Sequence, residues 1–249
     1  MGKNLIYVPE CHSTNTLLAE LSGRQNLAEG TVVIAGHQSA GRGQRGTQWQ
    51  VAPGQNITAS FLILPHFLDA HRQFLLTQWV AVALAETVEK LGATQVQIKW
   101  PNDVLIGKQK VCGVLIENTL SGKKIGQSIV GIGLNVNQQK FDFAGATSLR
   151  NATGQPHELP YVFEVLCERL EQFYLEIRAG KRLRETYLHR LYGWRERVPL
   201  TDAAGDFDGV IEDVNEEGKL QVRKGDTVCA YGLKEIRFRG LYAPHQPLM

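Results

Sequence analysis

Lys99-Trp100-Pro101-Asn102-Asp103-Val104 sets a cation, a carboxamide and a carboxylate around a Trp-Pro bend. The residues just before it, Gln95-Val96-Gln97-Ile98, alternate polar and apolar side chains, the period of a strand. Pro101 cannot donate to a ladder and ends that strand. Lys99, Asn102 and Asp103 are therefore predicted at a strand end, where loops on a rigid sheet carry function. Taken alone, the stretch also reads as a solvated turn with a buried Trp. A second segment, Gly41-Arg42-Gly43-Gln44-Arg45-Gly46-Thr47-Gln48-Trp49, favours the functional reading.

Working outward, Val104-Leu105-Ile106, Gly107-Lys108 and Val111 to Glu117 form a hairpin pattern. Ser128 to Val136 is a further strand, rich in Ile, Val and Gly. Upstream, Leu5 to Val8 is a short strand stopped by Pro9, and Thr31 to Ala35 and Asn56 to Leu64 are two more. A short helix over Thr16 to Leu21 follows Ser13-Thr14-Asn15, where a hydroxyl of Ser13 or Thr14 can cap it. Phe74 to Leu91 is a long helix, with Ala81, Leu84, Val88 and Leu91 at helical spacing and Gly92 as its stop. A polar loop is expected between Phe141 and Pro160. A second long helix carries Phe163, Leu166, Leu170, Phe173 and Ile177 as one stripe and ends at Gly180. Leu183, Leu188 and Leu191 suggest a third. Beyond Gly193-Trp194, Val198 to Phe238 reads as short strands with turns at Gly205, Glu217-Gly218 and Gly225-Asp226. That tail is predicted to be a small β-barrel of about 50 residues, packed on the larger unit.

The composition excludes several classes. The chain has 249 residues, 43% hydrophobic and 21% charged, enough for a full core. Its 27 basic and 25 acidic residues leave a net charge of +2 with no basic block, so nucleic-acid binding finds no support. Cys11, Cys112, Cys167 and Cys229 are scattered, with no CxxC pair, which argues for reduced cytoplasmic thiols over disulfides or zinc. No signal peptide or membrane-spanning segment is read in the sequence.

Gly41 to Gly46 matches GxGxxG after a strand. A dinucleotide fold needs a helix next and an acid about twenty residues on. Trp49, Pro53 and Gly54 follow instead, so that reading is rejected. Glycine N–H groups with Arg42 and Arg45 suit a loop over a phosphate or carboxylate; a flexible basic turn is the alternative. Ser13-Thr14-Asn15 is a helix cap or a cradle for a compact polar head such as a ureido group. Lys110 either pairs with a buried carboxylate or lies exposed on its strand. Cys112 has no neighbouring His or cationic pair that would make it a nucleophile and reads as a small core residue. Glycines in Gly131 to Asn137 permit close approach of a ligand or of another backbone. The histidines show no metal-ligand spacing.

In combination, Ser13-Thr14-Asn15, Gln38 through Trp49, Lys99 through Val104, Lys110 with Gly113, and Gly131 through Asn135 resemble the biotin protein ligases, in order along the chain. The resemblance implies an α+β fold: a mixed central sheet flanked by helices, of the class II synthetase-like type, with a C-terminal SH3-like β domain. Residues 1–193 would form the catalytic unit and 194–249 the SH3-like one. Because the Ser-Thr-Asn segment begins at residue 13, it implies the monofunctional type, without an N-terminal DNA-binding domain. The implied reaction joins biotin to ATP as biotinyl-5′-AMP with release of pyrophosphate, assisted by Mg²⁺. Biotin then passes to a lysine of a biotin carboxyl carrier protein, a subunit of acetyl-CoA carboxylase. A homodimer and a cytoplasmic location fit the same family.

By resemblance, Ser13, Thr14 and Gln38 hold the ureido head, with Asn15 and Gly113 in the biotin set. Arg42, Gly43 and Gln44 belong to a loop over biotin and the adenylate. Lys110 meets the carboxylate or acyl-phosphate oxygens, and Lys99 stabilises the phosphate. Arg45, Trp49, Asn102 and Asn135 fall on the nucleotide side. Asp103 orients or deprotonates the incoming lysine. Arg42, Lys99, Asp103 and Lys110 form the implied catalytic set. The chain departs from the common loop at Gln44, where arginine is usual, and at neutral Thr47 and Gln48. Arg42 and Arg45 are therefore expected to share the phosphate contacts. The rival expectations are a lipoate or octanoate ligase and a non-catalytic biotin-binding module.

Overall fold

A computed structural model describes residues 1–44, 48–49, 52–142 and 145–241 of the chain. In order, it runs β1 (Leu5–Cys11), α1 (Thr14–Arg24), β2 (Val32–Gln38), β3 (Ile57–Ile63), α2 (Phe74–Lys90), β4 (Val96–Lys99), β5 (Asp103–Ile106), β6 (Gln109–Ser121) and β7 (Lys124–Leu134). Then come α3 (Leu149–Thr153), α4 (Leu159–Arg178), α5 (Arg184–His189), β8 (Arg197–Asp202), β9 (Gly205–Val214), β10 (Leu220–Lys224), β11 (Thr227–Tyr231) and β12 (Arg237–Phe238).

β1 to β7 form one sheet in the order β1-β2-β3-β7-β6-β5-β4. Only the β1–β2 pair is parallel, so the sheet is mixed. Alternation along each strand splits its side chains between two faces. Val32, Phe61, Ile63, Val130 and Ile132 enter the large core, which holds α2 and α4, where the Trp79 indole donates to Leu170 O at 2.9 Å. Val33, Leu62 and Ile129 turn the other way and meet Leu18 of α1. That second face continues past the N-terminus of α1, where the candidate site lies.

Several predicted boundaries move. β1 continues through Pro9 to Cys11, because it is an edge strand paired only with β2, where a missing N–H need not break the ladder. Pro160 lies in the first turn of α4 rather than in a loop, since a helix start leaves that N–H unpaired in any case. The expected 141–160 loop also contains α3, capped by the Ser148 hydroxyl accepting from Asn151 N. Ser13 takes the N-cap position of α1, but its hydroxyl makes no capping hydrogen bond. The first helical N–H, of Thr14, is instead met by Gln38 Oε1 at 2.7 Å.

The tail is a small antiparallel sheet in the order β11-β10-β9-β8-β12. Its β9–β10 turn reaches the Trp-Pro bend: the Trp100 indole donates to Gly218 O at 2.9 Å. A Cβ at Gly218 would meet the Phe74 ring at 2.4 Å, and the φ of +84° there also favours glycine. From α5, the Tyr187 hydroxyl donates to Pro101 O at 2.7 Å, and Asn102 Nδ2 donates to Val114 O at 3.1 Å. The bend is thus tied to α5, to β6 and to the tail.

Candidate active site

The floor of the site is built from absent side chains. Gly113 of β6 and Gly133 of β7 are paired across the ladder, and Gly131 lies opposite Leu115. All three glycines point to the face that α1 covers elsewhere. A Cβ at Gly133 would sit 2.2 Å from Trp49 Cε2, and one at Gly113 would lie 3.0 Å from Lys110 Nζ. At Gly131 a Cβ would fall 2.2 Å from Asn15 Oδ1. Each glycine lets a functional side chain lie directly on the sheet.

One end of this trough is the start of α1. Thr14 and Asn15 are buried there. The Ser60 hydroxyl lies 2.6 Å from Asn15 Oδ1 and 2.7 Å from Thr14 Oγ1. Ser60 has one proton and Asn15 Oδ1 can only accept, so that proton goes to Asn15 and Thr14 supplies the proton of the second contact. With that proton committed, Gln38 Oε1 is held by the Thr14 N–H at 2.7 Å. Asn15 Nδ2 donates to Glu117 Oε2 at 2.7 Å and to Leu115 O at 3.3 Å. The Asn15 carboxamide is therefore fully engaged within the protein, unlike the ligand-facing group the sequence suggests.

The base of the Gly41–Trp49 segment is pinned by a Trp49 N–H donating to Gly41 O at 2.9 Å and by a bridge between Arg42 and Gln48. A Cβ at Gly41 would fall 2.2 Å from Trp49 O, which requires glycine there. Arg42 reaches Glu117 Oε2 at 2.8 Å. Gly43 and Gln44 are half-buried beside it. Arg45 and Thr47 lie outside the described residues.

At the other end Asp103 stands between two ammonium groups. Lys110 Nζ is 2.6 Å from Asp103 Oδ1, and Lys99 Nζ is 3.6 Å from Asp103 Oδ2. All three are largely shielded, with 16–22% of each side chain exposed. Burial pulls the Lys99 ammonium below the ordinary lysine value; Asp103 opposes that shift and the Lys110 charge adds to it. Lys110 is also tied through its backbone: its N–H donates to Gly145 O at 2.8 Å, and it accepts from Thr147 N at 2.9 Å. Lys110 Nζ lies 5.6 Å from the centre of the Trp49 ring, within cation–π range.

Among the described residues, two polar atoms here are buried without a hydrogen-bond partner: Trp49 Nε1 and Asn135 Oδ1. The other half of the Asn135 amide donates to Thr147 O at 2.9 Å. A buried polar atom without a partner is costly, so both mark where a polar ligand would be welcome. Asn102 is buried and turned to Val114 O, which makes it a brace for the bend. Cys112 is fully buried, and burial pushes its thiol far above the ordinary value, as suits a core residue.

The structure therefore gathers Lys99, Asp103, Lys110, Gly113, Trp49 and Asn135 at one end and Ser13, Thr14, Asn15, Gln38 and Arg42 at the other. Sequence reading missed Ser60 and Glu117. Ser60 had a signal, being a hydroxyl in an otherwise apolar run, Phe61-Leu62-Ile63. Glu117 closes the apolar run of β6, and its face is legible only once the register is known. Among the described residues, no cluster of three or more His, Cys, Asp or Glu is placed to hold a metal.

Comparison with known proteins bears on this arrangement. Residues 7–135 match the biotin/lipoate A/B protein ligase family. Over 246 residues the chain is 38% identical to the bifunctional ligase/repressor BirA of Bacillus spizizenii, covering 95% of this chain and 73% of that one. It is 30% identical over 228 residues to the biotin--[acetyl-CoA-carboxylase] ligase of Mycobacterium tuberculosis, covering 88% and 82%. Its fold is similar to that of the biotin protein ligase from Aquifex aeolicus solved with biotin and ATP, at a TM-score of 0.77 and 28% identity, covering 95% of this chain and 99% of that one.

Proposed function

Because the chain belongs to the biotin/lipoate A/B protein ligase family, we propose that the site just described joins biotin to ATP and passes the biotinyl group to a carrier lysine. The observation that carries this reading is the Lys99–Asp103–Lys110 cluster beside a glycine-floored trough that ends in a buried hydroxyl and carboxamide pocket.

In the first step a carboxylate oxygen of biotin bonds to the α-phosphorus of ATP. The bond from that phosphorus to the β-phosphate oxygen breaks, and pyrophosphate leaves. Two anions must approach each other, so positioned cations supply most of the help. Lys110 would hold the biotin carboxylate and Lys99 would meet the α-phosphate, a reading supported by the two ammonium groups gathered on Asp103. Thr14, Gln38 through its Nε2, and Ser13 take the ureido head. Trp49 and Asn135 take the nucleotide side with their unpartnered Nε1 and Oδ1, and Arg45 adds charge there. In the second step the carrier amine attacks the acyl carbon, the acyl–oxygen bond breaks, AMP leaves, and the amine gives up a proton. Asp103 would orient that amine or take its proton.

Mg²⁺ would be held by the phosphates of the nucleotide and would offset their charge. A Mg²⁺ ion characteristically keeps waters and binds substrate phosphates rather than an all-protein cage, and both Asp103 oxygens already face ammonium groups. We read the carrier as the biotin carboxyl carrier protein of acetyl-CoA carboxylase, in line with the name of the mycobacterial relative. The five-stranded tail is read as an SH3-like unit beginning at residue 194. The exposed β1 edge with Leu5 and Tyr7 supports homodimerisation, and four free cysteines support a reducing cytoplasm. No helix is long and apolar enough to cross a membrane among the described residues.

The test is transfer itself: the chain, ATP, biotin and a carrier domain, read by mass spectrometry of the carrier. A 1:1 biotin adduct on one lysine supports the reading, and an unmodified carrier contradicts it.

A further inference from the structure

Two segments far apart in the chain, the Ser-Thr-Asn start of α1 and the glycine–arginine loop, meet on one carboxylate oxygen. Glu117 Oε2 accepts from Asn15 Nδ2 at 2.7 Å and from Arg42 Nη2 at 2.8 Å. From there the contacts continue without a gap: Ser60 donates to Asn15 Oδ1, the Thr14 hydroxyl to Ser60, and the Thr14 N–H to Gln38 Oε1. We propose that Glu117 is a positioning residue that joins the biotin-head pocket to Arg42, so that the two parts of the site bind biotin as one unit.

The inference rests on the reading of Thr14 and Gln38 as that pocket and goes beyond it by assigning a role to Glu117. An isolated exposed ion pair would not support it, since such pairs contribute little and are screened. Glu117 and Arg42 are 40% and 47% exposed. The pair is nevertheless not isolated. Its carboxylate is held on the inner side by Asn15, which is buried and whose other amide atom is fixed by Ser60. Gly131 opens the space for this: a Cβ there would lie 2.2 Å from Asn15 Oδ1 and would push the amide off its line to Glu117. Strand alternation places Glu117 on the same face as Gly113 and Leu115, so the carboxylate stands at the rim of the trough. A carboxylate suits the position because one acceptor oxygen can take both a guanidinium and an amide N–H.

A ligand group that orders Thr14 and Gln38 therefore also orders Asn15, Glu117 and Arg42. Linkage makes such a coupling reciprocal. The test is a double-mutant cycle on biotin affinity, measured by calorimetry on the full chain. Gln38→Ala, Arg42→Ala and the double variant are compared first with Glu117 intact, then in a Glu117→Ala background. With Glu117 present, the double variant should depart from the product of the two single losses by about fivefold or more. In the Glu117→Ala background the losses should multiply. A departure that survives Glu117→Ala, or none in the parent, overturns the proposal. Glu117→Gln, which keeps an acceptor but no charge, should give an intermediate coupling; it replaces Glu117→Ala if that variant does not fold. If the parent chain binds no biotin at all, the proposed function falls with it. If biotin binds and no coupling appears, only the role of Glu117 falls.

Discussion

Lys110 Nζ stands 2.6 Å from Asp103 Oδ1, although the two residues come from different strands of the sheet, β6 and β5. A register shift between Val104 and Leu105 in the β5–β6 ladder lies between them. The pair places one ammonium against a carboxylate that a second lysine also contacts, at the mouth of a trough floored by glycine. A charge held this way can leave its partner for an incoming anion without leaving the site.

Lys110→Ala should lower the rate of adenylate formation by about 10²- to 10³-fold, the usual cost of removing a donor aimed at developing charge. The thermal midpoint should change little, because Asp103 keeps Lys99. Pyrophosphate release and a melting curve on the same sample check both halves. A variant that retains full rate would remove Lys110 from the chemistry.

Lys99 gives a pH signature. Its ammonium loses its proton below the ordinary lysine value, and in the proposed reaction the charged form would meet the phosphate. The pyrophosphate-release rate should therefore fall on the alkaline side at a pH below that of an ordinary lysine. Lys99→Arg, which stays charged, should carry the alkaline limb upward. The sign for stability is opposite. Between the lowered value and the unfolded one the unfolded state binds more protons, so stability rises with pH across that window. At pH 7 the buried charge costs stability, and Lys99→Met should melt no lower than the parent while losing rate.

Gly133→Ala should fold but displace Trp49, since its Cβ would lie 2.2 Å from the ring. The expected result is a raised KM for ATP with a smaller change in the KM for biotin, and a changed Trp49 contribution to fluorescence, identified against Trp49→Phe. Unchanged kinetics would show that the ring position does not matter to the nucleotide.

Cys112 should be inert. Its thiol is fully buried and held far above the ordinary value, so alkylation at pH 8 should be slow in the folded chain and fast in denaturant. Cys112→Ala should keep its adenylation rate, at a cost of about 1 kcal/mol in stability from the small cavity.

Much of this was legible in residues alone. The strands of the main sheet, the two long helices and the strand-rich tail follow from period and punctuation: Gly92 and Gly180 do end α2 and α4, with φ of +96° and +90°. The barrel expected of the tail does not follow: its described strands form an open antiparallel sheet in which β11 and β12 are the two edges, because pairing order depends on contacts that punctuation does not carry. Lys99, Asp103 and Lys110 were legible because a strand end and a hairpin bring them near each other in sequence. What stayed hidden depends on register and on distant partners. Pro9 within β1 is tolerated only because that strand proves to be an edge. Gln38 caps α1 from 24 residues away, which no local capping rule foresees. Asn15 looks like a ligand group in sequence and proves to be internal, because Ser60 and Glu117 reach it from strands that only the folded sheet aligns.

The most direct test of the account is pyrophosphate release from ATP by the full chain, with biotin, lipoate and octanoate offered separately and a carrier domain then added. A biotin ligase releases pyrophosphate with biotin as the sole acid offered, and release rises to sustained turnover once carrier is present. Release with lipoate or octanoate but not with biotin, or no release with any acid while biotin still binds, would contradict it.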